Sequence, residues 1–400
     1  MSKENLRVPY GMTVHGKEEI DAVVKVLETS TQMGKNVKEF EEKVANLFNK
    51  RSGVMVNSGS SALYLGMEVL NLPKESEVIT PALTFSTTVG CIIKNGLIPA
   101  FVDTKRATYC IDAGKIEEMI GDKTKAVCIP NLIGNIPDWD EIKRISDKYD
   151  LKIIEDSADT LGGIFKNKSS GYYSDISTTS FYGSHVINCA GNGGMLCLND
   201  EDYIRKARLL RSWGRSSSIF ADSEQIENRL NISIDGISYD SKFVFEEIGY
   251  NLEPSELGAA FGLVQLSRLE ENIEKRIMNF NSHMDFFSSY QEWLETPLQT
   301  PYTRTGWLAF PLLVKDEAPF SRKDLQIHLE KRNIQTRVIF TGNILRQPGF
   351  VKMNRRTSAD GYYEADRVMR GGMLIGCHHG LDQEMITHIY ETFEEFAKRY

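Results

Sequence analysis

From residue 53 to residue 156 short apolar, β-rich runs alternate with amphipathic stretches of helical period, and two further β-rich runs follow by residue 198. Strand-like runs occupy 53–57, 77–81, 99–103, 125–130, 151–156, 175–181 and 195–198. Helical patterns fill 61–70, 87–94, 112–120 and 139–149. Strands alternating with helices on this scale predict an α/β fold, a large, mostly parallel seven-stranded sheet covered by helices on both faces. Past Asn251 the character changes. Residues 256–290 form a long proline-free helical pattern, and 307–314, 322–332 and 383–399 follow as a smaller α+β unit. The expected division is a large domain over 1–255, with its N-terminal segment, and a bridging helix with a small C-terminal domain over 256–400. The polar stretch 216–241 is expected to be a long exposed loop.

Composition narrows the class. Of 400 residues, 47 are Lys or Arg and 55 are Asp or Glu, a net charge of −8 without basic clusters. That balance argues against nucleic acid as the main partner. No apolar run approaches membrane length and the opening residues lack a secretory pattern, so a soluble cytoplasmic protein is expected. Six cysteines stand at 91, 110, 128, 189, 197 and 377, none as a C-x-x-C pair and several inside apolar runs. Such cysteines act as small buried hydrophobes and give no support for a metal site, an iron–sulfur motif or a disulfide framework.

Three constellations carry chemistry. The first, Asn57-Ser58-Gly59-Ser60-Ser61, is a strand end, a small-residue turn and a helix start. It suits a phosphate held by backbone amides and serine hydroxyls, or an ordinary Ser helix cap, and alone the cap is the better bet. The second, Ile153-Ile154-Glu155-Asp156-Ser157-Ala158-Asp159, ends an apolar strand in carboxylates at the edge where open α/β sheets bind ligands. A helix cap is an equal reading of it in isolation. The third runs from Thr179-Ser180-Phe181-Tyr182-Gly183-Ser184-His185 into a glycine-rich turn at Gly191-Asn192-Gly193-Gly194. A lone histidine is more often packed or solvated than catalytic, but here the context lifts it. His378 and His379, beside Gly380, are expected to face solvent.

In order and spacing the three resemble the sugar aminotransferase family of fold-type-I pyridoxal phosphate (PLP) enzymes, and the resemblance spans nearly the whole chain. It implies that Gly59, Ser60 and Ser61 hold the cofactor phosphate with a hydroxyl from Ser180, and that Phe85 stacks on the pyridine ring. It further implies that Asp156 pairs with the ring nitrogen, that Asp159 lies near the ring hydroxyl, and that Asn251 reaches the cofactor of a neighbouring subunit in a homodimer with shared sites. Arg215, Arg337, Asn343 and Arg346, in segments that also resemble relatives, are expected to bind substrate, the arginines through its diphosphate.

One departure carries more information than the matches. Where the aminotransferases place the lysine that binds the cofactor, this chain has His185, and no lysine occurs between Lys168 and Lys206. That replacement resembles the branch of nucleotide-sugar 3-dehydratases. It implies a PLP and pyridoxamine phosphate (PMP) enzyme that removes the C3 hydroxyl of a nucleotide-linked 4-keto-6-deoxy sugar, with His185 as catalytic base. One type in that branch uses glutamate as amino donor. The other carries a [2Fe–2S] cluster on four cysteines placed after the Trp-Gly-Arg motif. Here Trp213-Gly214-Arg215 is followed by 216–222 without cysteine, and none lies between Cys197 and Cys377. The glutamate-dependent type is therefore expected, without a cluster, serving 3,6-dideoxysugar biosynthesis for surface polysaccharide. Two other readings remain open: an aminotransferase whose lysine has been replaced, and a sugar-nucleotide-binding homologue without turnover.

Overall fold

The computed structural model describes residues 6–219 and 226–400. Seven strands form one sheet: β1 (Ser52–Val56), β2 (Glu77–Pro81), β3 (Ile98–Val102), β4 (Thr124–Pro130), β5 (Lys152–Asp156), β6 (Ile176–Ser180) and β7 (Gly194–Leu198). Each lies within one residue of its sequence expectation at both ends. Their spatial order is β1-β7-β6-β5-β4-β2-β3. All neighbours pair in parallel except β7, which runs antiparallel to both β1 and β6. A Cβ on Gly194, at the start of β7, would collide with the Ser58 carbonyl, so only glycine allows β7 this close to the turn after β1.

Helices cover both faces, as continuous apolar strands require. They are α1 (Lys17–Leu27), α2 (Lys35–Leu47), α3 (Gly59–Val69), α4 (Ser86–Lys94), α5 (Trp139–Lys148) and α6 (Glu201–Arg211). Ser58, Asp138 and Asp200 cap α3, α5 and α6 by accepting hydrogen bonds from amides two or three residues into each helix. One buried cluster joins α3, α4 and α6 to the sheet through Leu63, Ile92, Ile154 and Leu196. Another packs Trp139, Ile142 and Ile145 of α5 on Ile79, Val127 and Ile153 from the opposite face.

Two expected helices differ from the pattern. Residues 112–120 form two short 3₁₀ turns, Ala113–Lys115 and Glu117–Met119. The buried residues Ala113, Ile116 and Met119 recur every third position, the period of a 3₁₀ helix, and Gly114 weakens an α-helix there. The long pattern 256–290 breaks at Arg268, whose φ of −107° and ψ of 8° are not helical. It yields α7 (Glu256–Ser267) and α8 (Leu269–Phe287), followed by a 3₁₀ turn at Ser288–Tyr290. The break has a cause on each side. Helix α7 is buried against α1 and α2, Arg268 bonds Glu18 and Glu19 of α1, and α8 then carries Phe280 and Phe287 into a different cluster.

That cluster belongs to an antiparallel four-stranded sheet ordered Leu294–Glu295, Ala309–Val314, Gly372–Gly376, Arg337–Val338. Helices Arg322–Glu330, Tyr363–Gly371 and Gln383–Ala397 accompany it. The N-terminal segment also joins here, through a bridge from Val8 to Ile334. Of the stretch expected as an exposed loop, residues 220–225 lie outside the described residues. The rest includes a small hairpin, Ile232–Ile234 with Ile237–Tyr239, at the surface. No described helix is long and apolar enough to cross a membrane.

Across β1, Arg211 of α6 donates to Glu41 of α2 at 2.6 Å, with both side chains largely buried. Glu41 also accepts the Met55 amide at 2.8 Å. Replacing Arg211 with Leu strands the carboxylate, and should lower stability by about 3–5 kcal/mol in denaturant unfolding.

Candidate active site

The parallel pairing of β5 with β6, and of both with β1 across antiparallel β7, brings the carboxyl ends of β1, β5 and β6 to one edge. A cavity of about 530 Å³ opens there, lined by Gly59, Ser60, Phe85, Asp156, Asp159, Ser180, His185 and Arg337 among others. Eight of the residues singled out in the sequence thus meet in one place.

The turn after β1 forms one wall. Ser58 caps α3, its Oγ accepting the Ser61 amide at 3.2 Å, while the Ser61 hydroxyl donates to Asn57 at 2.6 Å. The cap reading of this motif holds, and the cap leaves the first turn of α3 open to the cavity. Ser61 is occupied with the cap and does not line the cavity. Gly59 and Ser60 do line it, in the first helical turn, where amides have no intrahelical acceptor. A Cβ on Gly59 would press on the Ser180 Cβ, so this wall is open only because residue 59 is glycine.

Asp156 stands at the floor. Its Oδ2 accepts the Thr88 hydroxyl at 2.8 Å and its Oδ1 the Ala158 amide at 3.2 Å, and burial raises its pKa. A buried carboxylate held by neutral donors fits a cationic N–H partner. Phe85 is 51% exposed and meets Phe340 edge-on at 5.9 Å, leaving an aromatic face over the cavity. An anion cradle at one end, a carboxylate at the other and an aromatic between them fit a phosphorylated pyridine such as PLP.

His185 closes the site from the loop after β6. Its Nδ1 lies 3.1 Å from the Ser180 carbonyl, an acceptor only, so the proton sits on Nδ1 and the Nε2 lone pair is free. Burial pushes the imidazole pKa down to about 4, with Arg276 adding to the shift against the Ser180 bond. At neutral pH the ring is therefore uncharged and ready to accept a proton at Nε2. Asp159 Oδ1 stands 3.9 Å from that nitrogen. Its Oδ2 accepts the amide of Ile133, and burial raises its pKa to about 7. Ile133 has φ of 60°, a rare conformation for a β-branched residue, and this strained turn is what aims the amide at Asp159.

Other expected residues fall elsewhere. Arg337 lines the cavity, with its guanidinium 5.6 Å from the Tyr10 ring and, among the described residues, a hydrogen bond only to the Thr336 carbonyl. Asn343 and Arg346 both bond Asp366 and do not line the cavity, and their polar groups shape the loop after Phe340. Arg215 stacks on Trp213 at 4.3 Å, and Asn251 pairs with Ser212, both outside the cavity. The histidines expected in solvent are buried: His378 Nε2 donates to the Pro9 carbonyl, 3.0 Å away, and His379 Nδ1 accepts from Arg276 Nε. The N-terminal segment crossing this loop removes them from water. Sequence reasoning missed Tyr10, Thr88 and Arg276. Thr88, three residues past Phe85 in the helix that Phe85 precedes, was findable; the other two carried no local signal.

Buried histidines make a pH prediction. In the fold His185, His283 and His378 are held at about 4 and His379 at about 3. Unfolded, each binds a proton near pH ~6.5, so acidification through this window favours the unfolded chain. Asp156 and Asp159, with raised values, pull the opposite way but are outnumbered. The cofactor-free protein should lose thermal stability steadily from about pH 6.5 toward 4.5. A melting temperature that climbs over that range would contradict the assignment.

Comparison with known proteins identifies the family. The chain is 34% identical to lipopolysaccharide biosynthesis protein RfbH of Salmonella typhimurium, over 97% of this chain and 91% of that one. It is 30% identical to GDP-4-keto-6-deoxy-D-mannose 3-dehydratase of Yersinia pseudotuberculosis, over 99% and 100%. A solved structure of GDP-4-keto-6-deoxymannose-3-dehydratase with a trapped PLP-glutamate geminal diamine superimposes with a TM-score of 0.87 at 27% identity, covering 96% of this chain and 99% of that one. Residues 14–394 match the DegT/DnrJ/EryC1/StrS aminotransferase family, and the chain belongs to that family.

Proposed function

We propose that this protein is a PLP/PMP-dependent 3-dehydratase that removes the C3 hydroxyl of a nucleotide-linked 4-keto-6-deoxy sugar, with glutamate as amino donor. The observation that carries the reading is His185: a neutral imidazole with its lone pair on Nε2, in a cavity built for a phosphorylated pyridine, at the position the resemblance gives to lysine. Dehydratases of such sugars among the relatives, and a PLP–glutamate adduct in one of them, support the substrate class and the donor.

When bound, the cofactor supplies an electron sink next to the sugar's reacting carbons. The chain's own residues do the rest. Gly59 and Ser60 amides with the Ser180 hydroxyl would hold the phosphate, Asp156 the ring nitrogen and Phe85 the ring face, with Asp159 as the further carboxylate of the site. His185 takes a proton at Nε2 and, as imidazolium, returns it to the departing C3 hydroxyl. Its low pKa makes that imidazolium a strong acid, suited to protonating a poor leaving group. Arg337, which has no carboxylate partner among the described residues, grips the diphosphate.

We assign a homodimer as the active unit. Phe243, Phe245, Ile248 and Tyr250 lie exposed within eight residues, Ile248 at 96%, an apolar strip that a second copy would cover. Asn251 and Arg215 border this strip and lie outside their own chain's cavity, which suits a role in the partner's site. Six free thiols, all buried, suit a reducing cytoplasm and a place in 3,6-dideoxysugar synthesis for surface polysaccharide.

The test is incubation with PLP, glutamate and GDP-, CDP- or dTDP-4-keto-6-deoxy sugars. Loss of water with ammonia release is expected for one nucleotide. A stable absorbing adduct would indicate a disabled aminotransferase, and no spectral change with PLP a binding protein. His185→Asn should lower turnover by roughly 10²–10⁴-fold while PLP still binds. Unchanged turnover in that variant rules out the base.

A further inference from the structure

Arg276, on α8, is fully buried, and every hydrogen bond its guanidinium donates goes to a neutral acceptor. Nη1 bonds the carbonyls of Trp307 and Leu308, each at 3.0 Å. Nη2 bonds the carbonyl of His185 at 3.3 Å, and Nε bonds His379 Nδ1 at 3.3 Å. Taking a guanidinium out of water is costly unless it is well satisfied. Four acceptors drawn from three separate segments satisfy it here.

Those segments close a circuit around the reacting imidazole. Leu308, held by Arg276, donates its amide to the Ile133 carbonyl at 2.8 Å. Ile133 in turn donates its own amide to Asp159 Oδ2 at 2.9 Å. Asp159 Oδ1 faces His185 Nε2 at 3.9 Å, and the main chain of His185 returns to Arg276. The two partners of the imidazole–carboxylate pair sit on different loops, and Arg276 links the loop of His185 to the Trp307–Leu308 segment that holds the Ile133 turn.

We propose that Arg276 is a positioning residue of the dehydration: its rigid fork fixes the main chain of His185 against the Ile133–Asp159 turn, so that imidazole and carboxylate keep their spacing through the proton cycle. The proposal rests on the function assigned above. A flexible ammonium cannot reproduce a planar fork that reaches three carbonyls, so lysine substitutes only partly.

The test compares wild type, Arg276→Gln and Arg276→Lys, each assayed well below its own melting temperature and per mole of bound PLP. Misplacement by about 1 Å costs on the order of 100-fold. Arg276→Gln should lose about that much kcat, with KM for the sugar nucleotide within about threefold, and Arg276→Lys should recover at least about tenfold of the loss. A kcat within twofold of wild type in the Gln variant, or a rise in KM alone, overturns the proposal. A second readout needs no turnover. In ¹⁵N-histidine-labelled protein, His185 should show a fixed Nδ1–H tautomer in wild type and mixed tautomers in Arg276→Gln. An unchanged His185 signal overturns the proposal even if the wild type dehydrates none of the sugars tried, a result that would sink the function assignment separately. If Arg276→Gln does not fold, Arg276→Lys decides: about tenfold lower kcat at unchanged KM is expected, and wild-type kcat refutes it.

Discussion

The parallel register between β5 and β6 is the constraint on which the site depends. Asp156 pairs with Thr178, which sets the floor carboxylate two residues from Ser180 at the same sheet edge. Ser180 then serves three purposes at once: its side chain backs Gly59, its hydroxyl faces the cavity, and its carbonyl fixes the tautomer of His185. Because successive strand residues point to opposite faces, a slip of one residue would turn Asp156 away from the cavity. The buried apolar faces of β4, β5 and β7 prevent that slip, so the packing that stabilises the sheet also aligns the chemistry.

Burial supplies the second ingredient. Desolvation is the largest influence on His185, Asp156, Asp159 and Arg276 alike. It disfavours the charged form of each, leaving a neutral base beside a carboxyl group whose proton is loosely held near pH 7. At neutral pH the imidazole of His185 is therefore uncharged, and once protonated it is a strong proton donor, as the departing hydroxyl of an elimination requires. The strained Ile133 turn and the buried Arg276 are structural costs borne at this one spot, where positioning matters most.

Legibility in the sequence followed the range of the interactions. The seven strands were readable because each is a local apolar run, and the phosphate turn because helix caps are local. The 3₁₀ turns at 113–119 were misjudged as helix because periods of 3.0 and 3.6 differ little over nine residues. The unbroken 256–290 pattern hid the bend at Arg268, since nothing local reveals that α7 and α8 pack on different bodies. That Asn343 and Arg346 both bond Asp366 was not readable either, because Asp366 lies 23 and 20 residues further along the chain. His378 and His379 looked solvated because the segment that buries them lies at the opposite end of the chain.

The sequence alone determined the sheet, its strand order in the chain, the residues at the strand ends, and the presence of histidine where the resemblance to aminotransferases calls for lysine. These follow from periodicity and from side-chain identity, which need no folded partner to be read. Only the tertiary structure decided which nitrogen of His185 bears the proton, which way the pKa values move, and that Arg276 and Tyr10 belong to the site. Those properties arise from desolvation and from hydrogen bonds between residues tens to hundreds of positions apart, and neither exists until the chain has closed around them.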